Sequence, residues 1–221
     1  PLLPAFPSLQ DEETADVCVI GGGYTGLSTA LHLKKKGYDV VLLEAQRVGW
    51  GASGRNGGHV GTGQRADQAS IEKWVGMDAA KGLWQLGLDA VQKVCEVIDE
   101  YQIDCELGSG NLHLAAKLSH AEELQEELEH LESQYGYQQL SYLAPEAVAE
   151  RTSAQGFYGA LLDDGCRHLH PLKYAVGLAR AAAEAGLLGG GELGLEPDSL
   201  GGRRCDPVVG SIVVIGGGAL F

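Results

Sequence analysis

Three glycines in the spacing G-x-G-x-x-G, Gly21, Gly23 and Gly26, follow the apolar run Val17-Cys18-Val19-Ile20. An acid, Glu44, ends a second apolar run, Val40-Val41-Leu42-Leu43, eighteen residues after Gly26. The chemistry such a set can do is to hold a dinucleotide. Gly21 allows the tight turn out of a strand, Gly23 has no side chain to keep the backbone from a pyrophosphate, and Gly26 lets the next helix pack close to the sheet. That helix offers free N–H groups and a partial positive charge to phosphates at its N-terminus, where Tyr24 and Thr25 stand. Glu44 accepts hydrogen bonds from ribose hydroxyls. A glycine-rich turn in an ordinary α/β domain leaves the acid unexplained.

The elements that must position these residues read as an α/β fold. Residues 16–20 and 39–44 are expected as parallel strands joined by a helix over 25–36, with Leu27, Ala30, Leu31 and Leu33 at helical spacing. Lys34, Lys35 and Lys36 complement the C-terminal end of that helix and Gly37 suits the C′ position, so the lysines are not read as a binding patch. The glycine-rich stretch 49–63 reads as a long functional loop. A helix is expected from Asp78 to Tyr101, with Leu83, Leu86, Val91, Val94, Val97 and Ile98 on its apolar face and Trp84 alongside. Beyond Asp104 come strand pieces at 104–107 and 111–116 around the hairpin signal Gly108-Ser109-Gly110. A helix over 119–135 follows, with Ser119 as N-cap and Glu122 completing a capping box. Next are a short helix from Pro145, strands at 157–162 and 167–170, and a helix from Pro171 to Ala185.

Gly186 to Gly202 shows little periodicity and reads as weak or disordered structure. Ser211–Ile215 then reads as a strand running into Gly216-Gly217-Gly218. It echoes Val17–Gly23, but no third glycine, helix or acid follows, so a sheet strand with a glycine turn is favoured over a second nucleotide site.

The composition narrows the function classes. A net charge of −14 argues against nucleic acid or an anionic membrane as partner. No apolar run is long enough to span a bilayer, and residues 1–14 lack the pattern of a signal peptide. The five cysteines, Cys18, Cys95, Cys105, Cys166 and Cys205, are odd in number and form no C-x-x-C pair. They read as reduced, mostly buried thiols of a cytoplasmic protein. His168 and His170, two apart on an expected strand, share a face, but no third metal ligand stands nearby and no metal site is assigned. Trp50, Trp74 and Trp84 read as packing residues.

Gly51-Ala52-Ser53-Gly54-Arg55-Asn56-Gly57-Gly58-His59, closely following the acid-tipped strand, turns the reading from NAD to FAD. With Val17–Gly26 and Glu44-Ala45-Gln46-Arg47 it resembles the FAD-dependent amine and amino-acid oxidases of the D-amino-acid oxidase superfamily. Within them it looks most like the bacterial γ-glutamylputrescine oxidases. The similarity extends through Tyr101–Cys105, Tyr158–Asp163 and His168–Leu172, and covers residues 4–186. The resemblance implies a Rossmann-like FAD-binding domain plus part of an α+β substrate domain. The division expected is an extension over 1–14, the first part of the FAD-binding domain over 15–103, part of the substrate domain over 104–165, and a return to the FAD-binding domain over 166–221.

The resemblance also implies roles. Gly21, Gly23, Tyr24, Thr25 and Gly26 would lie against the pyrophosphate of a non-covalent FAD, Glu44 at the adenosine ribose, and Ala45 and Arg47 near the adenine-ribose end. Gly51, Ala52, Ser53, Arg55, Asn56, Gly57 and Gly58 would line the stretch from pyrophosphate to flavin, with His59 nearest the isoalloxazine. The implied reaction is oxidation of the C–N bond of a small-molecule amine to an imine, with oxygen or another electron acceptor reoxidising the cofactor. The pattern departs from the family after Gly186, where the rest of the substrate domain and a C-terminal flavin-contacting segment are expected. The chain alone is therefore expected to bind FAD weakly and to turn over little or nothing. An NAD-dependent dehydrogenase and a catalytically inactive nucleotide-binding module are the competing readings. Neither the amine nor the oligomeric state is legible.

Overall fold

A computed structural model describes residues 14–153, 155–191 and 212–215. The chain divides into two compact units. The first comprises residues 1–57, 97–105 and 170–221, and the second residues 58–96 and 106–169.

The first unit is built on a parallel sheet of β1 (Val17–Ile20), β2 (Val40–Glu44), β7 (Leu188–Gly191) and β8 (Ile212–Ile215), in the order β7-β2-β1-β8. Val17 and Val19 of β1 are buried, as are Val40, Val41 and Leu42 of β2. The continuous burial at the start of β2 is what a parallel strand covered on both faces requires, whereas burial alternates along β1, with Cys18 half-buried and Ile20 exposed. Helix α1 (Tyr24–Lys35) makes the β1-to-β2 crossover and packs against α6 (Pro171–Glu184). Its buried residues Leu27, Ala30 and Leu31 fall at the expected spacing. The helix ends as expected: Gly37 adopts φ +86°, its N–H donates to the Lys34 carbonyl, and the Tyr38 N–H donates to that of Leu33.

Two expectations at the end of the chain meet the sheet. Ile212–Ile215 pairs in parallel with Val17–Ile20 as the return strand. Leu188–Gly191 lies inside the stretch read as weak structure, yet it forms β7 beside β2. A ladder needs backbone groups and not side chains, so glycines that blur the pattern still pair. Residues 192–211 and 216–221, with Cys205 and the glycine turn after β8, lie outside the described residues.

The second unit carries an antiparallel sheet in which β6 (Ala160–His168) pairs with β4 (Gly108–Leu114), β5 (Leu140–Leu143) and β3 (His59–Val60). Several expectations are corrected here. Gly108-Ser109-Gly110 is no hairpin turn, and 104–107 is not a strand. These residues lie within β4 at a register shift opposite β6, and Gly108 faces His168, whose ring would meet any Cβ there. The strands expected at 157–162 and 167–170 are one nine-residue strand, because residues 164–166 absorb a register shift opposite β4 rather than breaking the strand. His168 therefore closes β6 while His170 caps α6, accepting the Lys173 N–H, and the two do not share a strand face.

The helices of this unit also differ in detail. Helix α4 (Leu118–Tyr135) starts one residue before Ser119, and its N-cap Lys117 makes no side-chain cap, so there is no capping box. Helix α3 (Met77–Glu100), whose residues from Val97 on belong to the first unit, buries Ala80, Trp84, Val91, Val97 and Ile98, whereas Leu86 is 59% exposed. Trp84 thus belongs to the packed face, but Trp50 and Trp74 are 51% and 71% exposed and are not packing residues. Sequence reasoning missed β5, as well as α2 (Gln68–Val75), whose N-cap Asp67 accepts the Ser70 N–H at 2.8 Å. Cys105 and Cys166 are buried, and Cys18 and Cys95 partly so.

Helices α2 and α4 are joined by a polar contact with a testable pH dependence. Glu72 Oε1 accepts from the Tyr135 hydroxyl at 2.6 Å and lies 2.7 Å from His130 Nε2. The tyrosine hydrogen bond first, and the histidine second, hold the Glu72 carboxyl below the usual glutamate range. A depressed folded-state pKa stabilises above the unfolded value of about 4.3 and is lost as pH falls through the lowered one. Glu72→Gln is expected to melt below wild type near neutrality, with the gap closing in acid. A gap that stays constant from about pH 7 to about pH 3 would exclude this linkage.

Candidate cofactor site

In the first unit two glycine-rich segments meet beyond the C-terminal ends of β1 and β2, the edge at which open parallel sheets bind ligands. The link begins at Glu44. Its Oε2 accepts the Gly22 N–H at 2.6 Å and its Oε1 the Gln46 N–H at 2.8 Å. Each carboxylate oxygen keeps lone-pair capacity for another donor, such as a ribose hydroxyl. Gly22, missed as a site residue, is the middle position of the motif. A Cβ there would come within 3.2 Å of Glu44 Oε2.

The second segment is latched to the first by backbone and side chain together. The Gly49 N–H donates to the Gly22 carbonyl at 2.9 Å, and Ser53 Oγ accepts the Tyr24 N–H at 3.1 Å. Ser53 lies in a 3₁₀ turn over Ala52–Gly54, a piece of regular structure inside the expected loop. Asn56 braces that turn, its Nδ2 donating to the Ala52 and Ser53 carbonyls at 2.9 and 3.1 Å. Gly49 has φ +69°, and a Cβ on it would meet Ala175 and Leu172 of α6. Only glycine suits both that backbone and that contact.

These contacts test whether the residues fit a dinucleotide, and they do. A Cβ on Gly23 would stand 2.9 Å from Ser53 Oγ, and one on Gly26 would collide with the Gly21 carbonyl oxygen. Helix α1 has no acid in its first turn and no side-chain cap from Gly23. Among the described residues only Ser53 reaches its first N–H groups, so Thr25 and Gly26 leave donors suited to an anion.

The other expected site residues fall in two groups. Ala45, Arg47, Gly51, Ala52, Arg55 and Gly57 belong to the first unit with the glycines and Glu44. The Arg47 carbonyl accepts the Trp50 N–H at 2.9 Å, and the Arg55 guanidinium stacks over the Trp50 ring at 4.5 Å. The Tyr24 side chain is engaged elsewhere in the unit: its hydroxyl donates to the Pro171 carbonyl at 3.0 Å and its ring packs on Tyr174. Burial raises the pKa of that hydroxyl. Gly58 and His59 open the second unit, where the Gly58 carbonyl accepts the Leu169 N–H and the exposed His59 pairs with His168 across β3 and β6. The missed residues Gly22, Gly49 and Trp50 lie between or beside recognised motif positions, and only their contacts mark them.

Residues 16–188 match the family described as FAD dependent oxidoreductase (DAO). The chain is 44% identical over 176 residues to γ-glutamylputrescine oxidoreductase of Escherichia coli K12, covering 80% of this chain and 41% of that protein. It is 40% identical over 186 residues to the probable oxidoreductase OrdL of Rhizobium meliloti, covering 84% and 44%. The chain thus spans less than half the length of these relatives. Among solved structures, L-amino acid deaminase from Proteus myxofaciens in complex with anthranilate superposes with a TM-score of 0.69 at 19% identity, over 86% of this chain and 41% of that one. L-α-glycerophosphate oxidase from Mycoplasma pneumoniae, with FAD bound, does so with a TM-score of 0.59 at 19% identity, over 82% and 44%. These structures share the fold. No helix among the described residues is long and apolar enough to cross a membrane. The spacing of glycines and acid and the latched second segment fit a dinucleotide, and the family match makes it FAD rather than NAD: the chain belongs to the FAD dependent oxidoreductase family.

Proposed function

We propose that the first unit holds FAD non-covalently. In this reading the whole protein uses it to oxidise the C–N bond of a small amine, of γ-glutamylputrescine type, to an imine, with oxygen as acceptor. The observation that carries the cofactor reading is the joining of Gly22, Glu44, Gly49 and Ser53 around the N-terminus of α1. Gly21, Gly23, Thr25 and Gly26 then lie against the pyrophosphate, while Tyr24, its N–H held by Ser53 and its hydroxyl by Pro171 of α6, fixes the start of the helix. Glu44 binds the ribose, with Ala45 and Arg47 toward the adenine. Gly51 to Ser53 and Arg55 to Gly58 follow the cofactor toward the flavin, and His59 faces the ring. The second unit contributes part of the substrate side. FAD, when bound, supplies the two-electron acceptor; the chain's own residues bind and orient it. The amine class is supported by the 44% identity to a protein named for γ-glutamylputrescine.

An absorption spectrum of the purified chain, with FAD added and again after denaturation, tests the cofactor half. With FAD in excess, oxidised-flavin bands perturbed by the native protein and returned to those of free flavin on unfolding are expected. A chain that excludes added FAD would sink the reading. The substrate half is tested on the whole protein, where γ-glutamylputrescine should bleach the flavin under anaerobic conditions and yield peroxide in air. A flavin that stays oxidised with this amine would reject it as substrate.

A further inference from the structure

Trp50 has no part in the cofactor assignments, and at 51% exposure it does not serve the core. Its ring carries the Arg55 guanidinium at 4.5 Å from the centroid. Among the described residues no acid or carbonyl engages that guanidinium, although the chain as a whole carries a net charge of −14. Stacking on an aromatic face uses the plane of a guanidinium and leaves its in-plane N–H donors open, the edge that matches phosphate oxygens.

Both ends of the stack are pinned to the glycine cluster. Trp50 is fixed through its N–H to the Arg47 carbonyl and through the neighbouring Gly49 to Gly22. Arg55 closes the 3₁₀ turn, its N–H donating to the Ala52 carbonyl at 3.1 Å, two residues from Ser53 at the α1 N-terminus. An exposed arginine would otherwise give up much rotamer freedom on meeting an anion. The stack removes part of that cost beforehand.

Resting on the FAD reading above, we infer that Trp50 is a positioning residue for an anion clamp: its indole face holds Arg55 with the guanidinium edge free for a pyrophosphate oxygen of FAD. The pair is then a preassembled phosphate contact supplied by the second glycine-rich segment.

The test is titration of FAD into the 221-residue chain at low and at physiological salt, followed by flavin fluorescence anisotropy, for wild type, Trp50→Phe, Trp50→Ala, Arg55→Gln and the double variant Trp50→Ala/Arg55→Gln. Losing the stack should weaken FAD about two- to fivefold, with phenylalanine recovering most of it. Losing the charged donor should weaken FAD about tenfold and flatten the salt dependence. The double variant should be no weaker than Arg55→Gln alone, because the tryptophan acts only through the arginine. Melting temperatures should hold, since both side chains are exposed. If wild type binds FAD and Arg55→Gln binds equally well, or if the two losses add, the clamp is wrong and the cofactor reading stands. If wild type binds no FAD, both fall together.

Discussion

Gly26→Val is expected to unseat helix α1 and abolish FAD binding. A Cβ at this position runs into the Gly21 carbonyl oxygen and approaches the side chain of Val19 on β1. The obstacle is backbone, so no rotamer change relieves it, and the helix must shift away from the strand it covers. Overpacking of this kind costs about 3 kcal/mol, which lowers the melting temperature by about 6–12 °C in a chain of this size. The shift also carries the α1 N-terminus away from Ser53 and Glu44, so FAD affinity should fall by far more than the stability loss alone implies. Gly82→Ala is the matched control, because nothing lies within 4 Å of a Cβ there and it stands inside helix α3 with no cofactor role assigned to it. Thermal denaturation followed by circular dichroism, together with FAD titration, decides the matter. Equal behaviour of the two variants would remove Gly26 from its packing role.

How far such a site can be read in advance depends on where its partners lie in the chain. The turn from β1 into α1 is local, and its glycines announce it. Glu44 is legible because the motif itself fixes how far the acid must follow. Gly22, Gly49 and Trp50 are not, since what they do is meet another segment, and no periodicity encodes that meeting. The same reason accounts for the second unit. Gly108 reads as a turn residue but is glycine on account of a cross-strand histidine, and the stretch 164–166 reads as a gap between strands but absorbs a register shift. Trp84 and Leu86 differ in burial although both are large and apolar, because the packed face of α3 follows Ala80, Trp84 and Val91. The cap of α2 by Asp67 had a local signal, Asp67 three residues before Ser70, masked by a polar and glycine-rich surrounding.

Asp163→Ala is the second substitution expected to have a large effect, and it acts within the second unit. The Asp163 carboxylate gathers four donors. The Tyr137 hydroxyl at 2.6 Å and the Gly165 N–H at 2.9 Å meet Oδ1, while the Thr62 hydroxyl at 2.8 Å and the Cys166 thiol at 3.0 Å meet Oδ2. Together they tie the segment after β3, the stretch just beyond α4 and the irregular part of β6. Burial first, and the hydrogen bond to Asp163 second, push the Tyr137 hydroxyl and the Cys166 thiol upward in pKa and keep both protonated as donors. Removing the acceptor strands several donors at once, and a buried donor left unsatisfied costs about 1–3 kcal/mol. A loss of about 3 kcal/mol or more is expected in urea denaturation, with Cys166 becoming open to thiol reagents in the native state. A change within about 0.5 kcal/mol would show that water replaces the carboxylate without penalty.

The strand order β7-β2-β1-β8 also bears on how the molecule is made. The ribosome delivers β1 and β2 first, and the strands that flank them arrive only with residues 188–191 and 212–215. Residues 58–96 and 106–169 lie between, so the whole second unit has emerged before the outer strands exist. Vectorial synthesis therefore yields the whole second unit while the parallel sheet of the first still has two open edges, the kind of surface that recruits other chains. The cofactor segments sit on that unfinished sheet, so the nascent nucleotide site stands beside open strand edges until β7 and β8 have been made.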